Sequence, residues 1–261
     1  MNSVTLENLA TLLPISAFLL LLLLQALKPR RDLYRNGLQR VFHNLFLFVV
    51  NTLIMRLLVP VSLVMASFWA SDRGIGLFNV LDLSPWLAGL LAVIALDFAI
   101  YWQHVATHKI PLLWRMHKVH HADTDMDVTT AIRFHPLELL LSLAFKALVV
   151  VMLGASVTAV IIFELLLFVS PAFNHSNLAL PKAIDATLRL FIATPDVHRA
   201  HHSVHRDEQD TNYGFFLIWW DRMFGTYTAH PRDGHVEMKI GLAGEKDQCD
   251  RVDQMLVAPF K

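Results

Sequence analysis

The sequence predicts an all-α fold: a multi-pass membrane helical bundle of four or five spans, with a polar, histidine-rich cap. Three observations predict it. Of 261 residues, 55% are hydrophobic and only 17% charged, whereas soluble domains carry about a quarter charged residues. The apolar residues are gathered in runs close to the roughly 20 residues that cross a bilayer as a helix. The polar segments between those runs hold most of the 14 histidines.

Residues 9–27 form a nearly unbroken apolar run containing Leu-Leu-Leu-Leu-Leu-Leu-Gln-Ala-Leu. No basic residue precedes it and no small-residue cleavage site follows, so it is expected to be a retained first span rather than a signal peptide. Lys28, Arg30, Arg31, Arg35 and Arg40 follow in one short segment, and such a basic loop belongs in the cytoplasm. Residues 41–66 are expected to be a second span, 67–84 a polar turn on the outer side, and 85–103 a third span. Residues 104–135 are polar and basic, hence cytoplasmic. Residues 137–153 and 157–173 read as a hairpin of two shorter apolar helices around Gly154, fully spanning or partly re-entrant. The chain from 174 onward returns to the cytoplasm. Residues 1–84 are expected to form N-terminal membrane helices, and 85–261 a catalytic domain that includes the last membrane helices. Every dense histidine cluster then falls on one side of the membrane.

A net charge of zero gives no electrostatic case for a nucleic-acid partner. The single cysteine, Cys249, excludes a disulfide framework and a thiolate metal site within the chain. The histidines carry the chemistry. His104 and His108 are four apart at the end of the third span, and residues so spaced share a helix face with Cβ atoms roughly 5–6 Å apart. His117, His120 and His121 repeat in spacing as His198, His201 and His202. In each HxxHH box the first and last histidines share a face and the middle one sits beside them, with adjacent histidines about a quarter-turn or more apart, so each box can reach two metals. Eight histidines exceed what one catalytic metal with open positions can use. Two metals sharing eight or nine imidazoles fit the count, and His175, at the end of the last apolar helix, is the ninth candidate. His43, His205, His230 and His235 are expected to be structural or exposed. His135, before Pro136, supports the site or simply enters a helix.

The zinc-protease form of HxxxH needs Glu after the first histidine, and Val105 stands there. No Gly-x-Ser-x-Gly nucleophile elbow is visible. Imidazole binds Zn, Cu, Fe and Ni alike. Iron is favoured because unactivated lipid chains offer no electrophile, and breaking their C–H bonds requires a strong oxidant made from O2 at a metal. A zinc-dependent membrane enzyme and a divalent-metal-binding transport protein are the alternatives. A transporter would place polar ligands at mid-membrane, where only Arg56, Lys146 and Glu164 stand. A bis-histidine haem protein would need ligands within facing helices. Neither explains two HxxHH boxes.

At these boxes the chain resembles the fatty acid hydroxylase/sterol desaturase superfamily. The stretches that carry the resemblance are Asp97 to His108, Met116 to His121, Arg133-Phe-His-Pro-Leu-Glu138, Thr194 to Ser203, Asn212-Tyr-Gly214 and Trp220 to Tyr227. They extend over about residues 90–227, and the lean N-terminal half is nearer to bacterial and alkylglycerol-monooxygenase-like members. The resemblance implies a membrane-bound non-haem di-iron oxidoreductase that uses O2 to hydroxylate or desaturate a sterol, fatty acyl chain or ether lipid. It carries over His104, His108, His117, His120, His121, His198, His201 and His202 as metal ligands, with His175 following.

Metal-bound imidazoles donate their other N–H to a carboxylate or carbonyl. Asp97, seven residues before His104, is expected to support the site through Tyr101, or else to make a helix-packing hydrogen bond. Asp196 and Asp221 are weaker candidates. Lys146 and Glu164, nine residues from the same end of their helices, are expected to pair. No Gly-x-Gly-x-x-Gly nucleotide fingerprint is present, so electrons are expected from a separate ferredoxin, cytochrome or flavoprotein, which Arg115, Lys118, Arg199 and Arg206 could dock unless they meet lipid headgroups. The short chain and its Ala-Pro-Phe-Lys end point to a bacterial inner membrane.

Overall fold

A computed structural model describes residues 3–33, 37–59, 62–244 and 249–261. Arg35 of the basic loop lies outside the described residues. The first eight helices are α1 (Ser3–Leu27), α2 (Gly37–Leu58), α3 (Leu63–Asp72), the single turn α4 (Leu77–Val80), α5 (Pro85–Lys109), α6 (Pro111–His121), α7 (Pro136–Leu153) and α8 (Val157–Asn174). Shorter helices follow, among them α9 (Lys182–Leu188) and α10 (Pro195–His201). The described residues contain isolated bridges but no strand. Four helical segments among them are long and apolar enough to cross a membrane, and the apolar end of α1, Leu12–Leu27, is a shorter one.

The second apolar run differs from expectation. It is divided into α2 and α3, and the helix continues beyond residue 66 to Asp72. Pro60 stands between them in sequence, and proline removes a helical N–H and pushes its predecessor out of the α region. The Ser62 side chain then caps α3 by accepting from Met65 N.

α3, α5, α7 and α8 pack into one core around Leu96, Ile100, Val150, Val160 and Phe163. Lipid tails are as apolar as leucine, so close packing rather than transfer from water holds such helices together. Small residues allow it: Ala66, Ala92, Ala155 and Ala159 lie in that core, and Ser67 Oγ donates to Ala155 O at 2.6 Å. Leu148 and Met152 of α7 and Ile161 and Ile162 of α8 face outward, as expected where hydrocarbon is the solvent. The hairpin turns at Gly154, whose φ of +63° is left-handed and whose Cβ, were there one, would lie 2.9 Å from Ile75 O.

The ends of the helices fix the position of everything else. α5 and α8 finish, and α2 and α7 begin, at the same end of the bundle. There the basic segment is locked down: Arg30 pairs with Asp196 at 3.0 Å, Arg31 Nη1 donates to Met238 O at 2.7 Å, and Arg40 pairs with Asp123 at 2.8 Å and with Asp127.

Candidate metal centre

All nine candidate histidines come together at that end, buried. Their ring nitrogens form two groups: His104, His108, His117, His121 and His201 in one, and His120, His175, His198 and His202 in the other, with the ligand atoms of each group within 4.8 Å of one another. Helix periodicity makes the division. His117 and His121 are one turn apart on α6 and face the first group, while His120 faces the second. The third box is used in reverse: His198 and His202 face the second group and His201 the first.

The hydrogen bonds show which nitrogen is free. His104 Nδ1 lies 2.8 Å from Tyr213 O, His201 Nδ1 2.6 Å from Thr211 O, and His175 Nδ1 2.8 Å from Pro171 O. A carbonyl oxygen only accepts, so each of these Nδ1 atoms carries the hydrogen and each Nε2 presents a lone pair. His117 Nδ1 is likewise held, 2.6 Å from Glu138 Oε1. The Nε2 atoms then crowd together: His201 to His104 at 3.1 Å, His198 to His175 at 3.2 Å and His202 to His175 at 3.2 Å. Both ring nitrogens of His108 and His121, and Nε2 of His117, are buried without a hydrogen bond.

Burial, first, and the neighbouring imidazoles, second, push the basicity of His120, His121, His198 and His202 well below the usual histidine range. Burial takes His201 down to about 3 and His175 to about 4. These rings are neutral at physiological pH, the form that ligates metal. The carbonyl ends of four helices also converge here, since the boxes fall at the C-terminal ends of α5, α6 and α10 and His175 caps α8. A helix C-terminus carries roughly half a negative charge. Inward lone pairs, neutral rings and negative helix ends form a donor set for two cations.

The segment after α10 orients the rings. Asp221 accepts from Tyr213 N and Gly214 N, each at 2.8 Å, and so holds the Tyr213 carbonyl that fixes His104. Asn212, in the left-handed region at φ 51°, donates to Val197 O and Thr228 O, both at 2.8 Å. Asp97 joins in differently from expectation. Its Oδ2 accepts from Trp220 Nε1 at 2.7 Å and Leu217 N at 3.3 Å, while the Tyr101 hydroxyl pairs with Thr226 Oγ1. Asp97 and Tyr101 thus pin the orienting segment to α5 at separate points, and Asp97 does not act through Tyr101. His135 lies in neither group: it caps α7 by accepting from Leu137 N and donates to Leu256 O. Asp196 pairs with Arg30 and Arg199. Arg199 is fully buried, which removes it from any docking surface. Sequence reasoning did not single out Glu138. Its signals were its place at the end of the Arg133-Phe-His-Pro-Leu-Glu138 stretch that carries the resemblance and its position as an acidic residue opening an apolar helix.

A cavity of about 450 Å³ runs from His104 and His117 into the bundle between α2, α5, α7 and α8. Phe48, Ile100, Leu139 and Phe168 line its flanks, and Arg56, Lys146 and Glu164 its far end. Lys146 and Glu164 attract each other electrostatically, but they make no ion pair within 4 Å among the described residues, which corrects the expected pairing.

The family model described as fatty acid hydroxylase matches residues 89–226, more than half of the chain. The chain belongs to the fatty acid hydroxylase family. Its match takes in eight box histidines, His175 and the orienting segment from Asn212 to Thr226. Relatives include the alkylglycerol monooxygenase of Homo sapiens, 33% identical over 62% of this chain and 34% of the relative. The ornithine lipid hydroxylase OlsE of Rhizobium tropici is 30% identical over 60% of this chain and 46% of the relative. The Delta(7)-sterol 5(6)-desaturase erg3C of Aspergillus fumigatus is 27% identical over 56% of this chain and 50% of the relative. The matched region thus spans between a third and a half of these relatives' length. No solved structure matches the chain.

Proposed function

We propose that this fatty acid hydroxylase family protein is a di-iron, O2-dependent oxidoreductase that hydroxylates or desaturates a membrane lipid. The observation that carries the reading is the pair of histidine groups with inward lone pairs, opening onto a cavity between membrane helices. His104, His108, His117, His121 and His201 would hold one iron, and His120, His175, His198 and His202 the other. When bound, the metal pair supplies the oxidising power drawn from O2 that breaking an unactivated C–H bond requires.

The protein's own residues do the rest. Tyr213 O, Thr211 O, Pro171 O and Glu138 fix the ring orientations before any ligand arrives, so no reorganisation is needed at the reacting centre. Phe48, Ile100 and Phe168 hold an extended hydrocarbon against His104 and His117 and exclude water from it. The named relatives are an alkylglycerol monooxygenase, an ornithine lipid hydroxylase and a sterol desaturase, so their names all point to lipid substrates with saturated C–H bonds. Two electrons per turnover come from a separate ferredoxin, cytochrome or flavoprotein. The basic segment around Arg30 and Arg40 supports a cytoplasmic position for the histidine end, because basic residues are in excess on cytoplasmic loops.

Elemental analysis of protein purified from iron-replete cells, joined to turnover of a lipid extract with O2 and a reductant, tests the reading. About two irons per chain and oxygenated lipid support it. Two zincs, or metal-free protein with no O2 uptake, would replace it with a different chemistry.

A further inference from the structure

The far end of the cavity is not what a plain hydrocarbon requires. Arg56 on α2, Lys146 on α7 and Glu164 on α8 all line it. Lys146 and Glu164 stand near the middle of membrane-spanning helices, where a charged side chain is costly unless it meets a partner or a polar cavity. None of the three makes a hydrogen bond or ion pair with another described residue. Arg56 and Glu164 are exposed and Lys146 half-buried, so their charged ends open onto the cavity and its mouth. The polar residues Asn51, Thr52 and Ser142 lead towards them. Lys146 lies eight residues along α7 from Glu138, roughly 12 Å at the helical rise of 1.5 Å per residue. Polarity therefore rises at a fixed distance from the histidines, with a mainly apolar passage between.

We propose that Arg56, Lys146 and Glu164 form a headgroup subsite for a zwitterionic lipid, and that the lipid's chain, rather than its headgroup, lies against the histidines. The charges decide the class. Two cations from α2 and α7 receive an anionic group such as phosphate or carboxylate, and Glu164 opposite them receives an ammonium. A neutral lipid leaves Arg56 unmatched and Lys146 and Glu164 with only each other's distant attraction, and a purely anionic one leaves Glu164 facing like charge. The subsite works as a ruler, placing the attacked carbon roughly 12 Å from the headgroup. This rests on the proposed lipid oxidation and adds its substrate class.

The full chain, purified in mild detergent, is placed in nanodiscs of equal parts phosphatidylethanolamine, phosphatidylglycerol and diacylglycerol, re-extracted, and its retained lipid read by native mass spectrometry. Phosphatidylethanolamine is expected to be retained at least fivefold over the other two. Glu164→Gln should abolish the preference over phosphatidylglycerol. Arg56→Gln and Lys146→Met should lower retention of both phospholipids at least fivefold, with metal content unchanged. If Lys146→Met does not fold, the exposed Arg56→Gln carries the same readout. Diacylglycerol retained as well as phosphatidylethanolamine, or variants that keep the parent's profile, would overturn the subsite and make the three residues an internal charge network. Retention is read without turnover: metal-free parent protein would sink the proposed oxidation, whereas metal-loaded protein without headgroup preference sinks the subsite alone.

Discussion

The Nε2 atoms of His104 and His201 face each other at 3.1 Å, and neither carries a hydrogen, because both Nδ1 atoms donate to backbone carbonyls. Two buried lone pairs at that distance repel, and only a shared cation turns the contact favourable. Metal binding should therefore stabilise the fold directly. At metal a thousandfold above its dissociation constant the gain is about 4 kcal/mol, which raises the melting temperature on the order of 10 °C for a chain of this size. Thermal unfolding of chelator-stripped protein with and without Fe(II) measures it. An unchanged melting temperature would deny that the two rings share a metal.

The two groups differ in size, five histidines against four, so single replacements should not be equivalent. His120→Ala leaves three rings in its group and should reduce bound metal from about two per chain to about one. His108→Ala leaves four and should retain most of both. Elemental analysis of the two variants side by side decides this, and equal losses would argue against the division into groups.

Glu138 Oε1 lies 2.6 Å from His117 Nδ1 and, among the described residues, is the carboxylate that hydrogen-bonds a ring of either group, since Asp210 Oδ1 stands off at 3.5 Å from His108 Nδ1. Removing such a partner costs typically 10–100-fold in metal affinity or activity. Glu138→Ala should show that loss, whereas Glu138→Gln, which still accepts the hydrogen bond, should recover much of it. Metal affinity by competition with a chelating dye separates the two. Equal affinity in parent and Glu138→Ala would make Glu138 a packing residue.

The division of the boxes was legible in advance because it follows from local geometry: three, four and seven residues on a helix map to faces whatever the tertiary fold. His175 was legible from its place at the end of an apolar helix. Glu138 was not, because its partner is 21 residues away and the contact exists only once α6 and α7 pack. Asp97 stood out as a carboxylate inside a span, but its partners Leu217 and Trp220 lie more than a hundred residues on, and no pattern at Asp97 names them. Equal depth put Lys146 and Glu164 at one level correctly. Spacing along two helices could not say that a cavity opens between them.

Arg133 joins three parts of the chain without touching a candidate ligand. Fully buried, it donates from Nε to Val119 O at 2.9 Å, from Nη1 to Asn44 Oδ1 at 3.0 Å and from Nη2 to Cys249 O, so α6, α2 and the C-terminal segment meet on one guanidinium. Burial pushes the Asp123 carboxyl up, but the charge of Arg40 and then that of Arg133 outweigh it and hold the group below the usual carboxylate range. Arg133→Met strands these acceptors. Breaking a buried charged network by removing one partner costs about 3–5 kcal/mol. The variant should unfold at markedly lower temperature with the same metal content in whatever folds, measured on detergent-solubilised protein. A loss below about 1 kcal/mol would mean that water replaces the arginine.

His235 gives the fold a pH dependence separate from the metal groups. Burial, opposed by Asp196 and aided by Arg199 and Arg30, holds it down at about 4 against an ordinary 6.5. The folded state thus binds fewer protons than the unfolded state between those values. Stability is complete above pH 6.5 and falls as pH drops towards 4, because only the unfolded chain gains the proton. The ring is 10% exposed and 3.7 Å from Asp196 Oδ2, so after discount for screening the loss attributable to it is about 2 kcal/mol. His235→Asn, which cannot titrate, should lose less stability than the parent between pH 7 and pH 4.5. The same slope in parent and variant would show that His235 takes up its proton as readily folded as unfolded.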